Sequence, residues 1–382
     1  MESSPLPDRP GSPHEAQPLP ETCAARGGGL SCGVRGGVGA WRCAVVIAYA
    51  ALLFPVSYTV YKFFDGALIP TDTRHYMRMV EDPWGGLVHP PFCDRVLTPA
   101  LVRWMDPLPV FRTPIAYTTD PRVQGRFFHF VALNALFAVL AAAVLADWLR
   151  PSQGAGPAFL AGLLHLLAFY SVVGGLAPLV DAGCFFFIAL QVWCLDRKKP
   201  WALAVVAALA GLQKETALIV SLGWVALSGI GRPRAWGWGL ALLPGVLTHL
   251  ACRALIPADR PAGTLEAMLH RLPDLVRPGT YHAELLYHLL LGNLPLLLAF
   301  AGWLALGRVR RGPLPRELAL LPALFALAIA LGTDANAGRI MYMAFPAIAL
   351  FQAGLLRRWV LGTAVGCPGE AQATQAPPRP LT

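Results

Sequence analysis

Apolar runs of about 17–23 residues recur between residues 43 and 357, separated by short links rich in arginine, lysine, proline and glycine. Coiled as an α-helix, a run of that length matches the roughly 30 Å hydrocarbon core of a bilayer. Lipid cannot hydrogen-bond a backbone, so an open chain crosses it only as helices that satisfy their own N–H and C=O groups. The composition agrees, with 55% hydrophobic and only 14% charged residues, where a soluble chain carries about a quarter charged. The pattern predicts an all-α polytopic membrane protein. The net charge of +9 sits mostly in the short links, where it reads as a topology signal and does not call for nucleic acid.

Spans are expected at about 43–63, 127–149, 157–173, 178–195, 201–213, 217–230, 236–255, 285–306, 317–332 and 339–357. The pair 201–213 and 217–230 encloses a question, because GLQKETALIV (211–220) places a lysine and a glutamate in the middle of an apolar stretch. Merged, the pair would form a helix of roughly 45 Å, longer than the core it must cross. Split, it places Arg150, Arg197, Lys198, Lys199, Arg232, Arg234, Arg308, Arg310, Arg311, Arg357 and Arg358 on one side, which the excess of positive charge marks as cytoplasmic. The split predicts about ten transmembrane helices with both termini cytoplasmic, and puts Lys214 and Glu215 at an extracytoplasmic tip. Residues 1–40 and 363–382, poor in apolar runs and rich in Pro, Gly and small residues, are expected to be disordered cytoplasmic tails flanking a membrane domain over 41–362. The eight cysteines contain no CxxC, and His165, His249 and His288 have no histidine at i+4, so neither a disulfide framework nor a zinc motif is expected.

Charged residues then gather on the extracytoplasmic side. The long first loop, 64–125, carries PTDTRHYMRMVEDP (70–83) and PPFCDRVLTPALVRWMDP (90–107), Asp181 opens the fourth span, and GTDANAGRIMYMAFP (332–346) precedes the last. Acids (Asp72, Asp94, Asp181, Glu215, Asp334) and bases (Arg74, Arg95, Lys214, Arg339) converge there, which suits an anionic ligand held by cations beside a carboxylate acting as general base. Each also has a purely structural explanation. Asp72 follows Pro70-Thr71 as a turn or cap residue would, Asp181 can cap the fourth span, Arg95 and Arg339 can snorkel to the interface, and Lys214 and Glu215 can simply neutralise neighbouring charges. The segment 94–106 spaces Val96, Leu97, Ala100, Leu101 and Trp104 as an amphipathic helix, expected to lie along the outer interface.

Three stretches carry a resemblance: TDTRHY (71–76) just after the first span, QKETAL (213–218) at an external tip, and DANAGRIMYMAFPAIAL (334–350) leading the last span. With the short tail, the long first loop and the interfacial helix, the chain resembles the type-C superfamily of integral membrane glycosyltransferases, which use polyprenyl-phosphate sugars. The resemblance implies transfer of a sugar from such a donor, with inversion, to an acceptor on the extracytoplasmic side, with Asp72 as general base. It gives donor-phosphate contacts to Lys214 and Arg339, and Arg74, His75, Arg95, Asp181, Glu215 and Asp334 are further substrate-binding candidates. No second acid stands beside Asp72, which leaves the use of a divalent metal open, and the large soluble domain that several branches carry after the last span is not expected here. The bilayer and the lipid-linked donor are the expected partners, and a bacterial inner membrane is expected over an endoplasmic reticulum. A transporter or flippase for an anionic or lipid-linked substrate is the alternative, and a non-catalytic scaffold in a membrane complex a third.

Overall fold

The computed structural model describes residues 38–63, 71–85, 88, 92–110, 115–168, 171–172, 176–229, 233–257 and 342–361, and among them regular structure is helical with no strand. The chain divides into Met1–Trp41 and Arg42–Thr382, and the packing below lies within the second unit. The helices are α1 (Val38–Phe63), α2 (Thr71–Met79), α3 (Leu97–Met105), α4 (Pro121–Gln153), α5 (Ala155–Leu166), α6 (Asp181–Asp196), α7 (Pro200–Gln213), α8 (Thr216–Gly229), α9 (Pro233–Leu255) and α10 (Phe345–Leu361). Three stretches, Val38–Phe63, Pro121–Gln153 and Gly237–Leu255, are long and apolar enough to cross a membrane, and α5, α7 and most of α10 are shorter apolar helices. Among the described residues the chain is therefore all-helical, with the segments of a membrane protein. The spans expected at 285–306 and 317–332 and the tail 363–382 lie outside the described residues. At the other end, the first helix already begins at Val38, three residues inside the expected tail.

Local chemistry sets several boundaries. Asp120 caps α4 by accepting from the Arg122 N–H at 2.9 Å, and Pro121 follows at the first helical position, where its missing N–H costs nothing. Gly154, at φ +89°, turns the chain from α4 into α5 through a backbone region closed to residues with a Cβ. The expected span 157–173 is corrected to a helix that stops at Leu166. At this end the His165 carbonyl accepts from the Ala168 N–H at 3.2 Å in a tightened last turn and also from the Tyr342 hydroxyl at 3.1 Å, and that hydroxyl reaches His165 Nδ1 at 2.7 Å.

The core is built from α4, which packs on α5, α6, α10 and α3, and from the close pair α7 and α9. In lipid no hydrophobic force joins apolar helices, so association depends on close packing and buried hydrogen bonds. At the α7/α9 contact Ala207, Gly211 and Gly245 let the backbones approach, and Thr248 Oγ1 donates across to the Ala208 carbonyl at 3.0 Å. A methyl group on Gly211 would run into the Gly245 carbonyl oxygen and the Thr248 hydroxyl. Gly211→Ala is accordingly expected to cost about 1–3 kcal/mol or more by overpacking, seen as a lower melting temperature in detergent. An unchanged melt would mean that α7 and α9 do not approach this closely.

A second cluster, with Tyr76, Val102, Phe127 and Phe130 fully buried, fastens the first loop onto the end of α4. Thr98, Pro99 and Val102 of α3 are buried, and α3 packs on α4 and α7. The expected interfacial helix is thus an integral part of the bundle end, with Arg103 and Trp104 on its exposed face.

Candidate functional site

The question posed by QKET is answered where α7 ends. Lys214 leaves the helix in an extended conformation (φ −171°, ψ 133°), although its N–H still bonds to Ala210 O, and Ala217 N–H returns to Lys214 O as α8 begins. The break turns the Lys214 ammonium onto Asp181, at the start of α6, with Nζ to Oδ1 at 2.7 Å. Both side chains are buried, at 7% and 0% exposure. Val180, not Asp181, holds the cap position of α6, and no side chain caps there, so the capping role considered for Asp181 gives way to the ion pair.

The neighbouring residue makes a second pair. Arg95, in the link before α3, forks onto Glu215 with Nη2 to Oε1 at 2.6 Å and Nε to Oε2 at 3.2 Å, and Nη1 donates to the Tyr76 hydroxyl at 3.0 Å. The Phe92 ring lies 5.8 Å from the guanidinium carbon. Arg95 is buried, and each of its three guanidinium nitrogens donates within the protein, which overturns the snorkelling alternative. Gln213 completes the join between segments: Thr98 Oγ1 donates to its Oε1 at 2.9 Å, and its Nε2 donates to the Val180 carbonyl at 2.7 Å. Asp94, also buried, lies 3.9 Å from Arg253 at the end of α9.

Four candidates, Arg95, Asp181, Lys214 and Glu215, therefore come together from separate segments as two adjacent, mutually neutralised pairs. Asp72 lies in the first turn of α2, half-buried, four residues before Tyr76, so the two share a helix face. His75 stacks on Phe92 with centroids 4.7 Å apart. Arg74 is exposed, and its charge is felt at Tyr117 in the same loop. Asp334 and Arg339 lie outside the described residues. Tyr76, Thr98 and Gln213 were not singled out from sequence, though all three fall inside the quoted stretches; the i+4 spacing from Asp72 was the available signal for Tyr76. Among the described residues no group of three or more His, Cys, Asp and Glu side chains is placed to hold a metal ion.

Arg95 and Glu215 stand in links between helices, and their electrostatics can be read together. Burial alone would push the Glu215 carboxyl up, but the Arg95 guanidinium, aided by Lys214, outweighs it and holds the group at about 2. Burial likewise works against the Arg95 charge, and Glu215 and Tyr76 more than restore it. A depressed carboxylate contributes stability that is complete above its unfolded value of about 4.3 and is lost as pH falls through the folded value. Glu215→Gln is expected to cost about 1–3 kcal/mol at neutral pH, toward the lower end because the Glu215 side chain is one-third exposed. In melts taken across pH, the gap between parent and variant should narrow from about pH 4 toward pH 2. A gap that is constant over this range would place the Glu215 effect outside its ionisation.

Comparison with protein-family models, with curated proteins and with solved structures returned no match.

Proposed function

We propose that this chain is a membrane glycosyltransferase that moves a sugar from a polyprenyl-phosphate donor to an acceptor on the extracytoplasmic side, with Asp72 as general base. One observation carries it: the first loop, the start of α6 and the α7/α8 break bring two buried cations and two carboxylates to one end of the bundle, beside the face of α2 that bears Asp72 and Tyr76. The basic residues Arg42, Arg150, Arg197, Lys198, Lys199 and Arg357 belong to the opposite helix ends, which supports a cytoplasmic assignment for that end and an outward-facing site. A bacterial inner membrane remains part of the proposal.

The chemistry follows from charge. The donor phosphate joins Asp181 and Glu215 on Lys214 and Arg95, whose ammonium and guanidinium carry N–H groups beyond those in the ion pairs, in surroundings where charge pairs are far stronger than in water. Arg339, from the resemblance, is a further cation for the same phosphate. Asp72 removes the acceptor hydroxyl proton as that oxygen bonds to the anomeric carbon and the carbon–oxygen bond to phosphate breaks. The polyprenyl phosphate leaves with the electron pair, its charge already compensated, and the sugar inverts. In this scheme the internal ion pairs keep the cations charged and oriented before substrate arrives.

The broken α7/α8 pair favours a second reading, a transporter of the same lipid-linked anion, since transporters build sites at interrupted helices. The deciding experiment places the purified protein in vesicles with a radiolabelled polyprenyl-phosphate sugar. Time-dependent cleavage of sugar from lipid phosphate supports the transferase. Movement of intact donor between leaflets without cleavage replaces it by the transporter, and neither outcome removes both.

A further inference from the structure

At the opposite end of the bundle, α1 stands off from its neighbours: only 17% of its most apolar stretch is buried. It is held at a few points, among them the Arg42–Asp147 fork at 3.0 and 2.8 Å and the Tyr49 hydroxyl on the Phe159 carbonyl at 2.7 Å. The gap left between α1, α4 and α6 is a groove of about 250 Å³, walled by Val45 and Val46 of α1, Leu140 and Val144 of α4, and Leu190 of α6. Its polar rim is Arg42, Asp147 and Trp193, and Trp193 Nε1 donates to Asp147 Oδ2 at 3.0 Å.

We propose that this groove holds an acyl chain of an anionic phospholipid whose phosphate sits on the cations at its rim. Several observations select that occupant. The walls are aliphatic, so the space offers water no partners. It is too small for a further helix, about 10 Å across with its side chains, but accepts a single hydrocarbon chain. Exposed α1 residues beside it, Ile47 and Phe54 among them, belong to a surface that faces lipid in a membrane protein.

The rim selects the headgroup. The Arg42 side chain is half exposed and directs Nε and Nη2 to Asp147, two of the five N–H groups a guanidinium carries. Just beyond it, Arg197, Lys198 and Lys199 are exposed, Lys199 Nζ lies 4.8 Å from the Trp193 ring centroid, and the Arg197 charge reaches Asp147. Asp147 is engaged by both Arg42 and Trp193, which leaves Asp196 as the exposed acid among these cations. A phosphate supplies the missing negative charge, and a chain attached to it runs directly into the apolar groove.

The test is native mass spectrometry of the full-length protein released from bilayers of equal phosphatidylglycerol and phosphatidylcholine. The parent is expected to retain phosphatidylglycerol in preference to phosphatidylcholine. Arg197→Gln and Lys199→Gln, both at exposed positions, should each reduce that preference about fivefold. Ala143→Trp, which fills the groove from α4, should remove the retained lipid while the surface charges stay in place. Equal retention of the two lipids by the parent, or undiminished retention by Ala143→Trp, would overturn the proposal. So would a lipid-free dimer of the parent that Ala143→Trp dissociates, since the groove would then belong to a second copy of the chain.

Discussion

Lys214→Met is expected to destabilise the protein by about 3–5 kcal/mol, the cost of leaving a buried carboxylate without its ion partner. Asp181 is fully buried and its Oδ1 accepts from the lysine at 2.7 Å. An exposed pair of the same geometry would contribute only about 0–1 kcal/mol, so the size of the loss reports burial as well as contact. The decisive companion is the double variant Asp181→Leu with Lys214→Met. Replacing both members of a buried pair by apolar groups of similar volume is often neutral, and most of the lost stability should return. Thermal unfolding in detergent measures both. A single variant within about 0.5 kcal/mol of the parent would show that Lys214 faces water at the hairpin tip, not Asp181. The double variant also separates structure from function. If Lys214 holds the donor phosphate, a refolded double variant regains its melting temperature but not its turnover.

Asp72→Asn is expected to lower sugar transfer by about 10²–10⁴-fold, the contribution typical of a positioned general base. The substitution keeps the shape of the side chain and removes only its ability to take a proton. Its structural cost should be small. A carboxylate in the first turn of a helix contributes about 0.3–1 kcal/mol through the helix dipole, and Asp72 lies in that turn of α2. Loss of turnover with an unchanged melt supports the base. Turnover at the parent level takes the base away from Asp72 and leaves its place in α2 as a helix-start residue. Measuring transfer and melting on the same preparation keeps the two apart.

Much of the helical layout was legible in the chain, because hydropathy and charge are local signals. The expected spans 178–195, 201–213 and 217–230 became α6, α7 and α8 within a few residues. The break between α7 and α8 was readable from length and charge together: thirty apolar residues exceed one crossing, and only a split at QKET puts the arginines and lysines of the short links on one side. The clustering of charge at one bundle end was readable in outline, because Arg95, Asp181, Lys214 and Glu215 all fell on the same side of the predicted topology.

Which charge meets which was not readable. Arg95 and Glu215 are 120 positions apart, and Lys214 and Asp181 are 33 apart. Nothing in either local sequence distinguishes a buried fork from an arginine reaching for the interface. The contact of His165 at the end of α5 with Tyr342, 177 positions away, is likewise invisible in the local sequence. Helix formation in an apolar medium follows from the residues within a turn or two, since each segment must satisfy its own backbone. The pairing of side chains follows from which helix ends meet, and here that was decided by the close approach of α7 to α9 and the seating of the first loop on α4.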